Sequence, residues 1–129
     1  MNTPAIEQPC ALIVEDDDNL RNIFSRAVEA GGFTTLAVKN GREALDALQA
    51  SPPALVVLDL HLPDVMGDKI LSFIRQDERF SRTLVILATA DAALAGVIDD
   101  QSDLVLLKPI SFSQMRDLTA RLRTSIARD

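Results

Sequence analysis

Five short apolar runs, "CALIV", "FTTLAV", "ALVVLDL", "TLVILAT" and "DLVLL", alternate with segments whose apolar residues recur at helical spacing. This alternation constrains the fold more than anything else in the chain. Parallel neighbours need a crossover long enough to carry a helix, so alternating strands and helices predict an α/β fold with a parallel sheet. "LIV", "LVVL" and "LVIL" are apolar at every position, which suits strands covered on both faces. Right-handed crossovers then place helices on both sides, and ligands bind beyond the carboxyl ends of the strands.

The helical segments carry their own punctuation. Leu20, Ile23, Phe24, Ala27 and Val28 form one stripe, which Gly31 and Gly32 end as a left-handed cap. Asp17 or Asp18 caps its start. "NGRE" opens a second helix, with Asn40 as cap and Glu43 in capping-box position, burying Ala44, Leu45 and Leu48; "SPP" closes the connection. A third helix buries Ile70, Leu71, Phe73 and Ile74. A fifth starts at Ser111, with Gln114 completing a box, and buries Phe112, Met115, Leu118 and Leu122. The fourth, "DAALAGVIDDQ", is predicted to be short and mobile. Gly96 costs it about 1 kcal/mol relative to Ala, and Asp99 and Asp100 oppose the dipole at its C-terminus.

A chain of 129 residues makes one domain, read as residues 10–129 behind an N-terminal tail at 1–9. Its 47% hydrophobic and 25% charged residues supply a core and a solvated surface. No apolar run reaches the ~20 residues of a membrane span. "MNTPAIEQP" lacks the basic start and apolar stretch of a signal peptide. The single cysteine, Cys10, forms no internal disulfide, so the cytoplasm is the expected compartment and Cys10 is predicted to be a buried thiol. A net charge of -6 argues against nucleic-acid binding, which requires phosphates to be neutralised. The last segment carries Arg116, Arg121, Arg123 and Arg128, but without interleaved aromatics it reads as a solvated helix face.

The strand ends hold the chemistry. Glu15 and Asp16 follow the first strand, Asp59 closes the third, Thr89 the fourth and Lys108 the fifth. An acid directly after four apolar residues of a central strand lies close to the core and needs a partner. Carboxylates from neighbouring strand ends make a hard oxygen site that suits Mg2+ better than zinc or copper, and His61 is the only histidine. A cation beside a carboxylate and a lysine points to phosphate chemistry. The aspartate serves as nucleophile and forms an acyl phosphate, while cation and lysine spread the phosphoryl charge.

"LIVEDDDNLR", "LVVLDLHLPDVMGDKIL", "VILATADA" and "LLKPI", in this order and spacing from about Cys10 to Arg123, resemble the receiver domain of bacterial two-component response regulators. The resemblance implies a flavodoxin-like, doubly wound parallel sheet in the order 2-1-3-4-5. It also implies phosphorylation of an aspartate by a histidine kinase or histidine phosphotransfer protein, with Mg2+. On the matching positions, Asp59 is the phosphoacceptor and Glu15 and Asp16 are the acidic pair of the metal site. Asp16 and Asp59 would supply carboxylate oxygens, His61 its backbone carbonyl, and Glu15 would act mainly through water. Thr89 matches the hydroxyl residue that turns toward the phosphoryl group, and Lys108 matches the family's lysine. Pro109 follows it where a cis bond is usual, and Pro63 and Gly67 match the turn after the acceptor strand. Such a module is a switch rather than an enzyme. Its partners are the phosphodonor and either a downstream protein or an output domain beyond Asp129; neither nucleic acid nor membrane is expected.

Three departures concern signalling more than chemistry. Val105 stands where the family usually has Tyr or Phe, "DDQSD" replaces a small Gly-Ala pair before strand five, and Met66 replaces a frequent Asp or Ser. Groups flanking the path of an attacking water set the phosphoryl lifetime. Here they are His61 and Asp91, expected to pair across the entrance, while the small Ala90 leaves the phosphodonor room. Without an aromatic at 105, the segment from Asp91 to Ser102 is expected to carry the switch. Two other readings compete: a receiver-like interaction module largely independent of phosphorylation, and a Mg2+-dependent phosphatase with Asp59 as nucleophile. The phosphatase reading calls for an acid where His61 stands and for a cap domain.

Overall fold

β1 (Cys10–Val14) pairs in parallel with β2 (Thr34–Val38) on one side and β3 (Leu55–Leu58) on the other. β4 (Leu84–Thr89) and β5 (Leu104–Leu107) extend the sheet beyond β3, giving the expected order 2-1-3-4-5. The computed structural model describes residues 8–127, so most of the expected N-terminal tail, and Arg128, lie outside the described residues. The crossovers carry α1 (Asp18–Ala30), α2 (Gly41–Ala50), α3 (Gly67–Gln76) and α4 (Ala92–Ile98), and α5 (Phe112–Ala127) follows β5. Single 3-10 turns occupy Glu78–Phe80 and Asp99–Gln101.

Because side chains alternate across a strand, each apolar run feeds two cores. Leu12, Val14, Val56, Leu58, Val85 and Leu87 pack with Ala44, Leu48, Ile70, Leu71 and Ile74 on the α2–α3–α4 side. Ala11, Ile13, Leu55, Val57, Ile86 and Ala88 pack with Phe24, Ala27, Val28 and Met115 on the α1–α5 side. At roughly 2 kcal/mol per fully buried aliphatic side chain, this burial is the main force holding the strand ends in register.

The helix ends follow the sequence closely. Asp17 accepts from the Leu20 N–H at 2.9 Å and caps α1. Gly32, at φ 106°, ends it, with bonds from Gly32 N–H to the Glu29 carbonyl and from Phe33 N–H to the Val28 carbonyl. Gly31 is not left-handed (φ -79°); it is small because a Cβ there would overlap Thr119 Oγ1 on α5. Asn40 caps α2, although Glu43 reaches back to the Lys39 N–H rather than to the cap itself. Ser111 and Gln114 form the full reciprocal box at the start of α5.

Three burial expectations are corrected. Cys10 is exposed, because it opens β1 at the sheet rim where α2 has already ended at Ala50. Ile23 is 37% exposed at the margin of the α1 stripe. Phe112 is 38% exposed, since it lies in the first turn of α5 with the Arg116 guanidinium over its ring. Among the described residues, no helix is long and apolar enough to cross a membrane.

Candidate functional site

The ladder of the sheet runs one residue past several strands and so fixes what stands at its carboxyl edge. Glu15 N–H donates to the Val38 carbonyl and Asp59 N–H to the Val14 carbonyl, each at 3.1 Å. Lys108 N–H donates to the carbonyl of Thr89, the last residue of β4, at 2.9 Å. Val14 is level with Leu58, so Glu15 and Asp59 emerge side by side. Both are buried, at 1% and 5% exposure, whereas Asp16 is exposed.

Lys108 joins the two buried acids. Its Nζ lies 2.8 Å from Glu15 Oε1 and 3.1 Å from Asp59 Oδ2. Burial pushes the Glu15 carboxyl from an ordinary 4.5 up to about 7, against the pull of Lys108 and of the Asp17 N–H; the nearby Asp59 charge adds to the rise. Burial works against the Lys108 charge too, but the Glu15 and Asp59 carboxylates outweigh it and hold its pKa above the usual lysine value. One ammonium thus serves two carboxylates, with a third beside them.

Glu15, Asp16 and Asp59 each offer a carboxylate oxygen, all within 4.8 Å of one another. Glu15 Oε1 is buried and meets the Lys108 ammonium, with no hydrogen-bond donor aligned on it among the described residues. An all-oxygen cluster of three carboxylates that shares a single ammonium fits a hard divalent cation. Sequence reasoning missed what steadies this cluster. Arg21 Nη1 donates to the Glu15 carbonyl at 3.1 Å while its Nη2 holds Asp18 at 2.6 Å. The Asp18–Arg21 spacing along α1 was the available signal.

The other candidate residues stand around this centre. His61 N–H approaches Asp59 Oδ1 at 3.4 Å, and His61 Nε2 lies 2.6 Å from Asp91 Oδ2, so the expected pair forms. The Asp91 carboxyl is held below its usual value, first by the Leu94 N–H it accepts and then by His61. Asp91 N–H donates to Thr89 Oγ1 at 3.1 Å. Ala90 is exposed; Val105 is half-buried against the α2–α3–α4 core. The Lys108–Pro109 bond is cis. A Cβ on Gly67 would overlap the Asp59 carbonyl and reach 2.6 Å from Leu60 Cα, so only glycine lets α3 start this close to Asp59. Asp64 was also missed: its carboxylate accepts from Gly41 N–H at 2.7 Å and Arg42 N–H at 2.9 Å, tying the loop after Asp59 to the start of α2. Nothing local in the sequence announces a cap supplied from another loop.

Residues 11–120 match the response regulator receiver domain family. The polar-differentiation response regulator DivK of Brucella anthropi is 35% identical over 81 residues, covering 63% of this chain and 66% of that protein, just under two thirds of its length. A signal receiver domain from Vibrio parahaemolyticus superposes with a TM-score of 0.79 at 29% identity, covering 93% of this chain and 95% of the other. The chemotaxis response regulator CheY4 of Vibrio cholerae shares the fold, with a TM-score of 0.80 at 19% identity over 89% of this chain and 98% of its own. With its flavodoxin-like sheet and acid-and-lysine edge, the chain belongs to the response regulator receiver domains of two-component signalling.

Proposed function

We propose that this receiver accepts a phosphoryl group on Asp59 from a histidine kinase or phosphotransfer protein, in a reaction that requires Mg2+. The observation that carries the reading is the Lys108 ammonium set 2.8 Å from Glu15 and 3.1 Å from Asp59 at one sheet edge. A carboxylate oxygen of Asp59 bonds to phosphorus as the donor's P–N bond breaks. The electron pair leaves with the donor imidazole, which takes up a proton, and an acyl phosphate remains on Asp59. Lys108 turns its charge toward the phosphoryl oxygens, and the Thr89 hydroxyl donates to one of them.

Glu15, Asp16, Asp59 and the His61 backbone carbonyl would hold the Mg2+. When bound, the ion supplies the positive charge that offsets the gathered carboxylates and phosphoryl oxygens. The exposed Ala90 leaves the entrance open to the donor side chain. The chemistry is confined to gain and loss of this one group, and a protein partner or a joined output domain reads the result.

Intact-mass analysis after acetyl phosphate treatment tests the assignment. Wild type gains one phosphoryl group with Mg2+ and none in EDTA, and Asp59→Asn gains none. Equal uptake by the variant removes Asp59 from the role, and absence of uptake by wild type favours a module that works by contact alone.

A further inference from the structure

The first three N–H groups of α2 all have side-chain acceptors, and two of those bonds come from another loop. Asn40 Oδ1 accepts from the Glu43 N–H at 2.8 Å, whereas Asp64 Oδ1 and Oδ2 accept from the Gly41 N–H at 2.7 Å and the Arg42 N–H at 2.9 Å. N–H groups at a helix start lack partners within the helix, so an acceptor set there is held firmly. A carboxylate also meets the positive end of the helix dipole. Desolvation works to raise the Asp64 pKa, but the N–H groups of Val65, Arg42 and Gly41 outweigh it and hold the carboxyl below its usual value. The backbones approach closely as well. A Cβ on Gly41 would stand 2.6 Å from Val65 Cβ and 2.8 Å from the Val65 carbonyl, so a larger residue would push the loop off the helix.

That loop, residues 59–66, joins β3 to α3 and carries His61. Its base is closed by the Gly67 N–H, which donates to the Leu60 carbonyl at 2.8 Å. Leu62 is buried in the α2–α3–α4 core, with Val65 half-buried against it. Apolar contacts of this kind carry little direction. The two charge-assisted bonds from Asp64 to backbone N–H groups fix position and orientation together. Asp64 itself stands outside the carboxylate cluster of Glu15, Asp16 and Asp59, and both its oxygens are engaged by α2. We infer that Asp64 is a positioning residue for the cation site: anchored to the start of α2, it sets the His61 backbone carbonyl three residues earlier and thereby the affinity for Mg2+. The effect on affinity rests on the cation site proposed above; the anchoring rests on the contacts themselves.

Mg2+ titration followed by amide NMR measures the affinity, and amide hydrogen exchange in EDTA measures the order of the loop. Asp64→Ala is expected to bind Mg2+ about tenfold more weakly than wild type, as when a group that orients a metal ligand is lost. Its Gly67 amide exchanges about fivefold faster, the worth of a lost cap. Asn40→Ala is the control, because the Asn40 side chain caps the same helix through Glu43 and not through the loop. It raises exchange at Glu43 to a similar degree, with Mg2+ affinity and Gly67 exchange as in wild type. Asp64→Asn, which keeps one accepting oxygen, shows both effects of Asp64→Ala more weakly and takes its place if the alanine variant folds poorly. Unchanged Mg2+ affinity in Asp64→Ala overturns the positioning role. An equal loss of affinity in Asn40→Ala overturns it too, by assigning the effect to the stability of α2. If wild type binds no Mg2+, the cation site proposed above fails instead, and Gly67 exchange in the metal-free protein decides the anchoring: an unchanged rate in Asp64→Ala overturns it.

Discussion

His61 Nε2 lies 2.6 Å from Asp91 Oδ2, joining the loops that leave β3 and β4 beside the Asp59 carboxylate. If Asp59 carries the phosphoryl group as proposed, water must come in line with its P–O bond, and a pair at this position is expected to hinder that approach. His61→Ala and Asp91→Ala are each expected to speed dephosphorylation roughly tenfold, with the double variant no faster than the quicker single one, as for partners in one interaction. Asp91→Ala also loses a helix cap worth about 1 kcal/mol, so Asp91→Asn, which retains a capping oxygen, is the cleaner comparison. Decay of the phosphorylated mass after a pulse of acetyl phosphate measures all four. Unchanged decay in both single variants rules out the gate.

Lys108 is the cation that two buried carboxylates share. Lys108→Gln leaves Glu15 and Asp59 facing one another, and in EDTA unfolding is expected to become easier by about 2 kcal/mol, less than for a fully enclosed pair because the ammonium is partly accessible. Mg2+ then stabilises the variant more than wild type, since the ion meets no resident ammonium. Urea unfolding across a Mg2+ titration shows both effects. Phosphate uptake falls about a hundredfold, because the phosphoryl charge loses its fixed partner.

The raised Glu15 pKa gives stability a defined pH dependence in the absence of divalent cations. Between its ordinary 4.5 and the folded value of about 7, the native state holds a proton that the unfolded state has released. The contribution is therefore complete below about 4.5, declines as pH rises, and is gone above about 7. Glu15→Gln removes this decline, so its stability changes less than that of wild type between pH 5 and pH 8. Mg2+ stabilises wild type more at the upper end of that range, where it no longer competes with the Glu15 proton. Urea midpoints at the two pH values, with and without Mg2+, give the four numbers needed.

Two glycines are expected to respond in opposite directions. Gly67→Ala forces a Cβ onto the Asp59 carbonyl and Leu60 Cα, so the backbone must move. Melting is expected to fall by an amount equivalent to about 2 kcal/mol, with slower phosphate uptake because the acceptor loop shifts. Gly96→Ala places a methyl in open space on α4 and is expected to stabilise by about 0.5–1 kcal/mol. Calorimetry of the two variants decides the signs.

The strands and the helix ends were legible in the sequence because they are set by neighbours in the chain. Unbroken apolar runs marked β1, β3 and β4, Asp17, Asn40 and Ser111 announced their helix starts, and Gly96 with two trailing acids marked α4 as short. The motif order also located Glu15, Asp16, Asp59, Thr89 and Lys108 at strand ends. Burial at element margins was less legible: Cys10, Ile23 and Phe112 are apolar, yet each sits at the edge of its strand, helix stripe or helix start, where what covers it depends on the neighbouring elements.

What only the tertiary structure decided is how charges separated along the chain share one another. Lys108 grips Glu15 as well as Asp59, Asp64 caps a helix begun twenty-odd residues earlier, and Arg75 clasps Gln101, Thr83 and Asp103. Hydrophobic periodicity reports which face of an element is buried, because burial is set by the nearest few residues. Hydrogen bonds and ion pairs depend instead on distances of about 3 Å between groups carried by different elements. Those distances exist only once the parallel register of the sheet has brought the ends of its strands together.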